Sequence, residues 1–236
     1  MIRRALRLLY PPKCIFCGKI VENERFAVCD ECNENAPYNT RACKICGTPL
    51  DTVYGDLICT YCVKHTRPFR KAYVPLIYKK SARDAILRFK FGGRRAAAVT
   101  MAAYMLLKMR EMDAPRPEII TFVPMHFLRL GTRGFNQSAL LAKALGNMLS
   151  VPVVPLLKRT KYNKPQSKRS ANERRLAVRG VFALKKKAEI CGKAILLIDD
   201  VITTGATLSE CARVLKKGGA GSVEIGTVAA THFTAK

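Results

Sequence analysis

One stretch, from Ile195 to Thr207, constrains the fold of this chain more than any other. Four apolar residues, Ile195 to Ile198, run into two adjacent carboxylates, Asp199 and Asp200. Val201 and Ile202 follow, then a small, hydroxyl-rich turn of Thr203, Thr204, Gly205, Ala206 and Thr207. A helix-like stretch from Leu208 to Lys217 comes next. This order reads as a buried strand, a tight loop and the N-terminus of a helix. Such a loop aims several backbone N–H groups and the positive end of a helix dipole at one point, which suits a phosphate. Thr203, Thr204 and Thr207 add hydroxyl donors, and Gly205 lets the backbone come close. Asp199 and Asp200 stand where they can accept from sugar hydroxyls or hold a hydrated Mg²⁺. Other phosphate loops fit worse. Gly192-Lys193-Ala194 lacks the upstream glycine and the Ser/Thr of a Walker A loop, and no G-x-G-x-x-G follows an expected strand.

The same residues, Ile195 to Thr207, resemble the signature of type I phosphoribosyltransferases. The resemblance implies binding of phosphoribosyl pyrophosphate (PRPP), with its 5-phosphate on Thr203–Thr207 and its ribose against Asp199 and Asp200.

The first 62 residues hold eight of the ten cysteines as four C-x-x-C pairs: Cys14/Cys17, Cys29/Cys32, Cys43/Cys46 and Cys59/Cys62. Two thiolates at this spacing offer one face of a tetrahedral metal site, so four pairs supply two structural Zn²⁺ ions. Glycine follows the first pair (Gly18) and the third (Gly47), where a knuckle needs a tight turn. The order of knuckle, glycine and second knuckle occurs twice, which favours adjacent sets: Cys14, Cys17, Cys29, Cys32 and Cys43, Cys46, Cys59, Cys62. Spacing alone leaves open a crossed pairing as in RING modules. A disulfide framework needs an oxidising compartment, of which the sequence shows no sign. No pair sits in the strand–helix context of a redox C-x-x-C. The region is too small for a core of its own, so metal supplies much of its folding energy. Cys191 and Cys211 stand alone and read as small core residues; His65 is at best a spare ligand. The expected division is a cysteine-rich module over 1–66 and an α/β domain over 67–236.

Charge is placed unevenly. The chain carries 42 Lys+Arg against 17 Asp+Glu, a formal net charge of +25. Residues 1–70 hold 11 basic and 7 acidic residues, so the excess lies in the larger domain. Residues 158–187 alone carry 12 Lys/Arg and one acid, Glu173. This balance implies polyanionic partners: phosphates, nucleic acid or an acidic membrane face. No apolar run approaches the ~20 residues of a membrane span. Met1 to Leu9 is basic and amphipathic, too short for a signal peptide's apolar region, and reads as a helix packed on the body or touching a membrane surface. The expected location is the cytoplasm, including the inner face of the membrane.

Between the motifs, residues 63–72 read as a linker around Arg67 and Pro68. A strand is expected over Ala72–Tyr78, a short basic helix over Ser81–Lys90, a break at Gly92-Gly93 and a longer helix over Arg94–Arg110. Glu118–Val123 reads as a strand, residues 124–137 as a loop, and the chain from there to about Leu149 as a helix. Val151–Leu157, Val181–Leu184, Ala194–Ile198 and Val223–Ala229 complete an expected α/β fold with a mostly parallel sheet. Ligands of such sheets sit beyond the carboxyl ends of the strands, where both the 124–137 and the 199–207 loops fall. The 124–137 loop offers His126, Arg129 and Arg133, and arginine grips phosphate bidentately.

The run Val-Pro-Met-His-x-x-Arg-x-x-x-Arg-Gly-Phe-Asn-Gln, from Val123 to Gln137, resembles the hallmark of the competence protein ComF family. So do Lys164-Pro-Gln-Ser-Lys-Arg, the pair Arg174 and Arg175, and Gly180-Val-Phe182. The resemblance spans nearly the whole chain. It implies an N-terminal zinc module joined to a phosphoribosyltransferase-fold domain. It implies a pyrophosphate-side loop over 124–137 and a hood loop over 160–175. It links the chain to DNA uptake in natural competence, to single-stranded DNA on the cytoplasmic side and to competence-machinery proteins. Some members have four zinc-type cysteines, so the second site here rests on spacing.

Two readings of the sequence follow. In the first, the chain is an enzyme that transfers phosphoribosyl from PRPP. Pyrophosphate and Mg²⁺ would lie near His126, Arg129 and Arg133, and the carboxylates would stabilise positive charge at the anomeric carbon. The acceptor is unknown, and no nucleobase pocket is recognisable. In the second, the same loops bind phosphates of single-stranded DNA or sense PRPP without turnover. Lys164, Lys168, Arg169, Arg174 and Arg175, with Lys79–Arg95, would track a nucleic-acid backbone. Tyr162, Phe182, Phe89 and Phe91 are candidates to stack bases.

Overall fold

A computed structural model describes residues 11–21, 26–51, 57–92, 96–126, 130–131, 134–161, 171–185 and 189–232. The side chains of Ala171, Asn172, Arg174 and Arg175 fall outside that description, as does the basic N-terminal stretch.

The central strands are the longest, nine residues each. β6 (Ala194–Ile202) and β7 (Ser222–Ala230) pair in parallel from Ala194↔Ser222 to Ile202↔Ala230. β3 (Ile119–Phe122) pairs in parallel with the other edge of β6. β1 (Ala72–Tyr73) and β2 (Leu76–Ile77) follow one another along the same edge of β7, also parallel. The order is therefore β1/β2, β7, β6, β3, and Val153 adds one further parallel bridge beside Ile120. A parallel sheet must be covered on both faces, and side chains alternate along a strand. Leu196 and Ile198 accordingly pack on one face with helices α3 (Lys80–Phe91), α4 (Ala97–Glu111) and α5 (Gln137–Leu149). Ile195 and Leu197 pack on the other with Leu208, Cys211 and Leu215 of α7 (Ala206–Lys217). Fully burying each of these side chains contributes about 1.5–3 kcal/mol.

The cysteine-rich module straddles the β1/β2 edge of that sheet. Its first knuckles, with α1 (Asp30–Glu34), rest on the α3–α4 face. There Arg88 donates to the carbonyls of Ile15 and Phe16, Thr100 Oγ1 accepts from Ala27 N at 2.9 Å, and Tyr104 donates to Asn33 at 2.6 Å. Its second pair of knuckles, with α2 (Thr60–Lys64), belongs to the core on the α7 face. The Ala72 amide donates to Ile45 O, and buried Asn39 donates to the carbonyls of Gly47 and Val74.

Four details differ from the sequence reading. The expected strand 72–78 is broken in two where Pro75, which has no N–H to donate, interrupts the ladder. The expected strand 151–157 shrinks to the bridge at Val153, flanked by Pro152 and Pro155. The chain becomes regular only in β4 (Leu157–Arg159), which pairs antiparallel with β5 (Phe182–Leu184) in a separate two-stranded sheet. β5 is thus not part of the main sheet. The linker 63–72 is packed: Phe69 is buried, and the Arg70 amide donates to Val223 O.

Candidate functional site

β6 does not stop at the acidic pair. It continues through Asp199 and Asp200 to Ile202, so both carboxylates are held on rigid strand backbone at its carboxyl end. The Thr203–Gly205 turn follows, with Gly205 at φ +72° as the N-cap of α7. That left-handed conformation favours glycine. Thr204 is buried and its Oγ1 accepts from the Ala206 amide at 3.3 Å. Thr203 is exposed and Thr207 half-buried.

The environment of the carboxylates is polar but enclosed. Asp199 Oδ1 accepts from Ser138 Oγ at 2.8 Å and from the Asp200 amide at 2.9 Å. Burial pushes the Asp199 carboxyl up and the neighbouring Asp200 charge adds to it, to about 7. Ser138 is placed by the start of α5, where Asn136 caps the helix by accepting from the amides of Ser138 and Ala139. Asn136 Nδ2 also donates to Val123 O at 3.1 Å, which ties that cap to the end of β3. From the last turn of α3, Lys90 Nζ reaches Asp200 Oδ1 at 2.9 Å, both side chains being mostly buried. Gln137 Nε2 donates to the Lys90 carbonyl at 3.4 Å. Arg67, from the segment after the last knuckle, donates to Thr204 O and Ser209 Oγ, each at 3.2 Å.

The structure thus brings Asp199, Asp200 and Thr203–Thr207 together at one sheet end. His126, just past β3, is buried and its carbonyl accepts from Leu130 N. Arg129, Arg133, Lys164, Lys168 and Arg169 lie outside the described residues; Arg174 and Arg175 are on α6 (Ala171–Val178), with side chains not described. Phe89 and Phe182 are core residues and offer no stacking surface; Phe91 is exposed, and Tyr162 is outside the described residues. Ser138 and Arg67 were missed by the sequence reading, and Lys90, read within Lys79–Arg95 as tracking a nucleic-acid backbone, is instead mostly buried against Asp200. The only signal for Ser138 was its place two residues after a capping Asn, and none marked the partners of Lys90 or Arg67.

The eight paired cysteines form two clusters, Cys14/Cys17/Cys29/Cys32 and Cys43/Cys46/Cys59/Cys62, with the sulfurs of each within 4.8 Å of one another. Adjacent knuckles pair, not crossed ones. Sulfur separations are 3.7 Å for Cys17–Cys29, 3.8 Å for Cys14–Cys29 and 3.6 Å for Cys46–Cys59. Tetrahedral zinc with Zn–S of about 2.3 Å sets its ligands about 3.8 Å apart, so the geometry fits that ion. All ten cysteines are free thiols. Hydrogen bonds from Cys46, Cys59 and Cys62 hold Cys43 far below the thiol range, while bonds to Cys43 and Cys46 push Cys59 and Cys62 up. His65 stands outside the cluster, its ring against Tyr61 at 4.6 Å. Cys211 is buried as expected, but Cys191 is exposed, a correction to its reading as core.

A parallel α/β domain of the phosphoribosyltransferase type, carrying two Cys₄ sites of the zinc-ribbon kind, is the class these features define. Family models agree: the double zinc ribbon domain matches residues 5–70 and the phosphoribosyl transferase domain residues 134–235. Competence protein F of Haemophilus influenzae is 31% identical over 224 residues, covering 90% of this chain and 94% of that protein. DNA utilization protein YhgH of Escherichia coli K12 is 27% identical, covering 92% and 96%. Competence protein ComFC of Bacillus subtilis is 29% identical, covering 83% and 81%. The chain belongs to the competence protein ComF family. Among the described residues no helix is long and apolar enough to cross a membrane.

Proposed function

We propose that the chain binds PRPP with Mg²⁺ at the carboxyl end of β6 and acts in the handling of DNA during uptake. The observation that carries the reading is the rigid acidic pair, Asp199 and Asp200, feeding directly into the Thr203–Thr207 turn at the N-terminus of α7. Turn amides and hydroxyls would take the 5-phosphate. Asp199 and Asp200 would accept from the ribose hydroxyls, and the Lys90 ion pair with Asp200 would give way as they do. Bound Mg²⁺ would neutralise the pyrophosphate charge. Ser138 orients Asp199 throughout. Transfer to an acceptor would have the carboxylates stabilise positive charge as pyrophosphate leaves.

Calorimetry of PRPP–Mg²⁺ tests this. Asp199→Asn with Asp200→Asn removes charge-assisted bonds worth about 1.5–3 kcal/mol each, so affinity should fall by on the order of a hundredfold or more. Equal affinity in both proteins would sink the assignment.

The names of the relatives and the charge of residues 158–187 support single-stranded DNA as a macromolecular partner, with competence-machinery proteins beside it. DNA bound to the basic segment releases counterions, with a slope of roughly −0.7 in log affinity against log salt per phosphate neutralised. Reversing Lys164, Lys168, Arg169, Arg174 and Arg175 should flatten the slope by roughly 3.5 and weaken all sequences alike. An unchanged slope with lost PRPP binding would instead make the segment a hood over PRPP.

A further inference from the structure

Arg67 lies in a stretch that reads from sequence as a linker, yet it joins the second cysteine site to the phosphate turn. Its guanidinium carbon stands 4.1 Å over the centroid of Tyr61. Tyr61 is carried on α2 between Cys59 and Cys62, so the folding of that site sets the position of the ring. From this support Nη1 reaches Thr204 O and Ser209 Oγ, each at 3.2 Å. One charged group thus braces the turn at its carbonyl and at the first turn of α7. Glycine at 205 permits it: a Cβ there would come to 3.0 Å from Nη1.

The direction of that carbonyl has a consequence for binding. The described chain has no cis peptide bonds, and a trans peptide sets its C=O and N–H on opposite sides. With Thr204 O drawn to Arg67, the Gly205 N–H is aimed away from Arg67. The guanidinium also polarises the same peptide, which strengthens its N–H as a donor to an anion. Among the described residues, the polar contacts of the first cysteine module run instead to Arg88, Thr100 and Tyr104 on the opposite face of the sheet.

We propose that Arg67 is a positioning residue that sets the peptide of the phosphate turn, and that it couples the turn to the second cysteine site and not to the first. The inference rests on the phosphate reading of that turn given above.

Hydrogen exchange over 203–209 in ligand-free protein, with titration of ribose 5-phosphate, tests it. In Arg67→Ala, exchange over 203–209 should quicken by on the order of tenfold and ribose 5-phosphate affinity fall by a similar factor, the loss of about one charge-assisted bond. The metal content should stay that of the parent protein. Arg67→Lys should recover most of both, because one ammonium can still donate to both acceptors. Tyr61→Leu should show a smaller change of the same kind, and Cys17→Ser none. Unchanged exchange over 203–209 in Arg67→Ala, or an equal change in Cys17→Ser, would overturn the coupling. If Arg67→Ala does not fold, Tyr61→Leu decides: unchanged exchange there overturns it too. Failure of the parent protein to bind ribose 5-phosphate would overturn the phosphate reading alone, since exchange still decides whether Arg67 braces the turn.

Discussion

The two cysteine sites share one sequence pattern and are built into the molecule differently. In the first, Cys14 is buried, Cys29 and Cys32 are half-buried and Cys17 is exposed. In the second, Cys43, Cys46, Cys59 and Cys62 are all buried, in one core with Val74, Ile195 and Leu197. The first packs on helices α3 and α4, with Cys14, Ile15, Phe16 and Val21 buried in the core on that face and polar contacts to Arg88, Thr100 and Tyr104 beside them. The second lies where β1 joins the sheet and, through Tyr61 and Arg67, stands next to the Thr203–Thr207 turn. The same motif therefore does two jobs. One site fixes the module into the core on the α3–α4 face; the other lies in the core on the α7 face, beside the candidate binding site.

The comparison breaks most visibly if a ligand is removed from each site in turn. Cys46→Ser removes one of four ligands of a metal site inside a core, and loss of a structural metal is among the changes that cost about 3–5 kcal/mol. For a chain of this size that is about 6–20 °C of melting temperature. Cys17→Ser, at a wet site, should lower the melting temperature by less than half as much. Equal losses in a thermal melt would show that burial does not separate the two sites.

A smaller effect sharpens the comparison at the level of the knuckles. Gly18 and Gly47 occupy the same place in their repeats, with φ of +82° and +69°. A side chain in that conformation costs about 1–2 kcal/mol in either case. At Gly18 a Cβ would meet nothing within 4 Å, whereas at Gly47 it would come 2.4 Å from Val74 Cγ2. Gly47→Ala should therefore cost about 1–3 kcal/mol more than Gly18→Ala, because Val74 must shift within a packed core. Denaturant midpoints of the two variants measure that difference; a difference near zero would mean that the core around Val74 yields freely.

How far the sequence could be read follows the same division between local and distant causes. The turn over 199–207 was legible because its signal is contiguous: an apolar run, two acids, a glycine and a helix. The cysteine pairing was legible from its repeat. The antiparallel pairing of β4 with β5 was not, because a short apolar run such as Val181–Leu184 fits a central strand equally well. The breaks at Pro75 and Pro152 follow from missing N–H donors, but the ladder they interrupt is visible only in the fold. Lys90, Ser138 and Arg67 meet the site from distant segments, and no local pattern announces such meetings. Arg67 is the extreme case, since its partners Thr204 and Ser209 lie 137 and 142 residues away in sequence.

The most direct test of the distinction between the sites is staged removal of zinc by a chelator, with released metal, PRPP affinity and exchange over 203–209 followed in the same samples. Two zinc ions per chain are expected. The first should leave from Cys14/Cys17/Cys29/Cys32 with the phosphate turn still protected and PRPP affinity retained. The second should leave later, and protection of 203–209 and PRPP affinity should be lost with it. Fewer than two zinc ions with all thiols intact, or loss of protection at the turn on release of the first ion, would contradict the distinction.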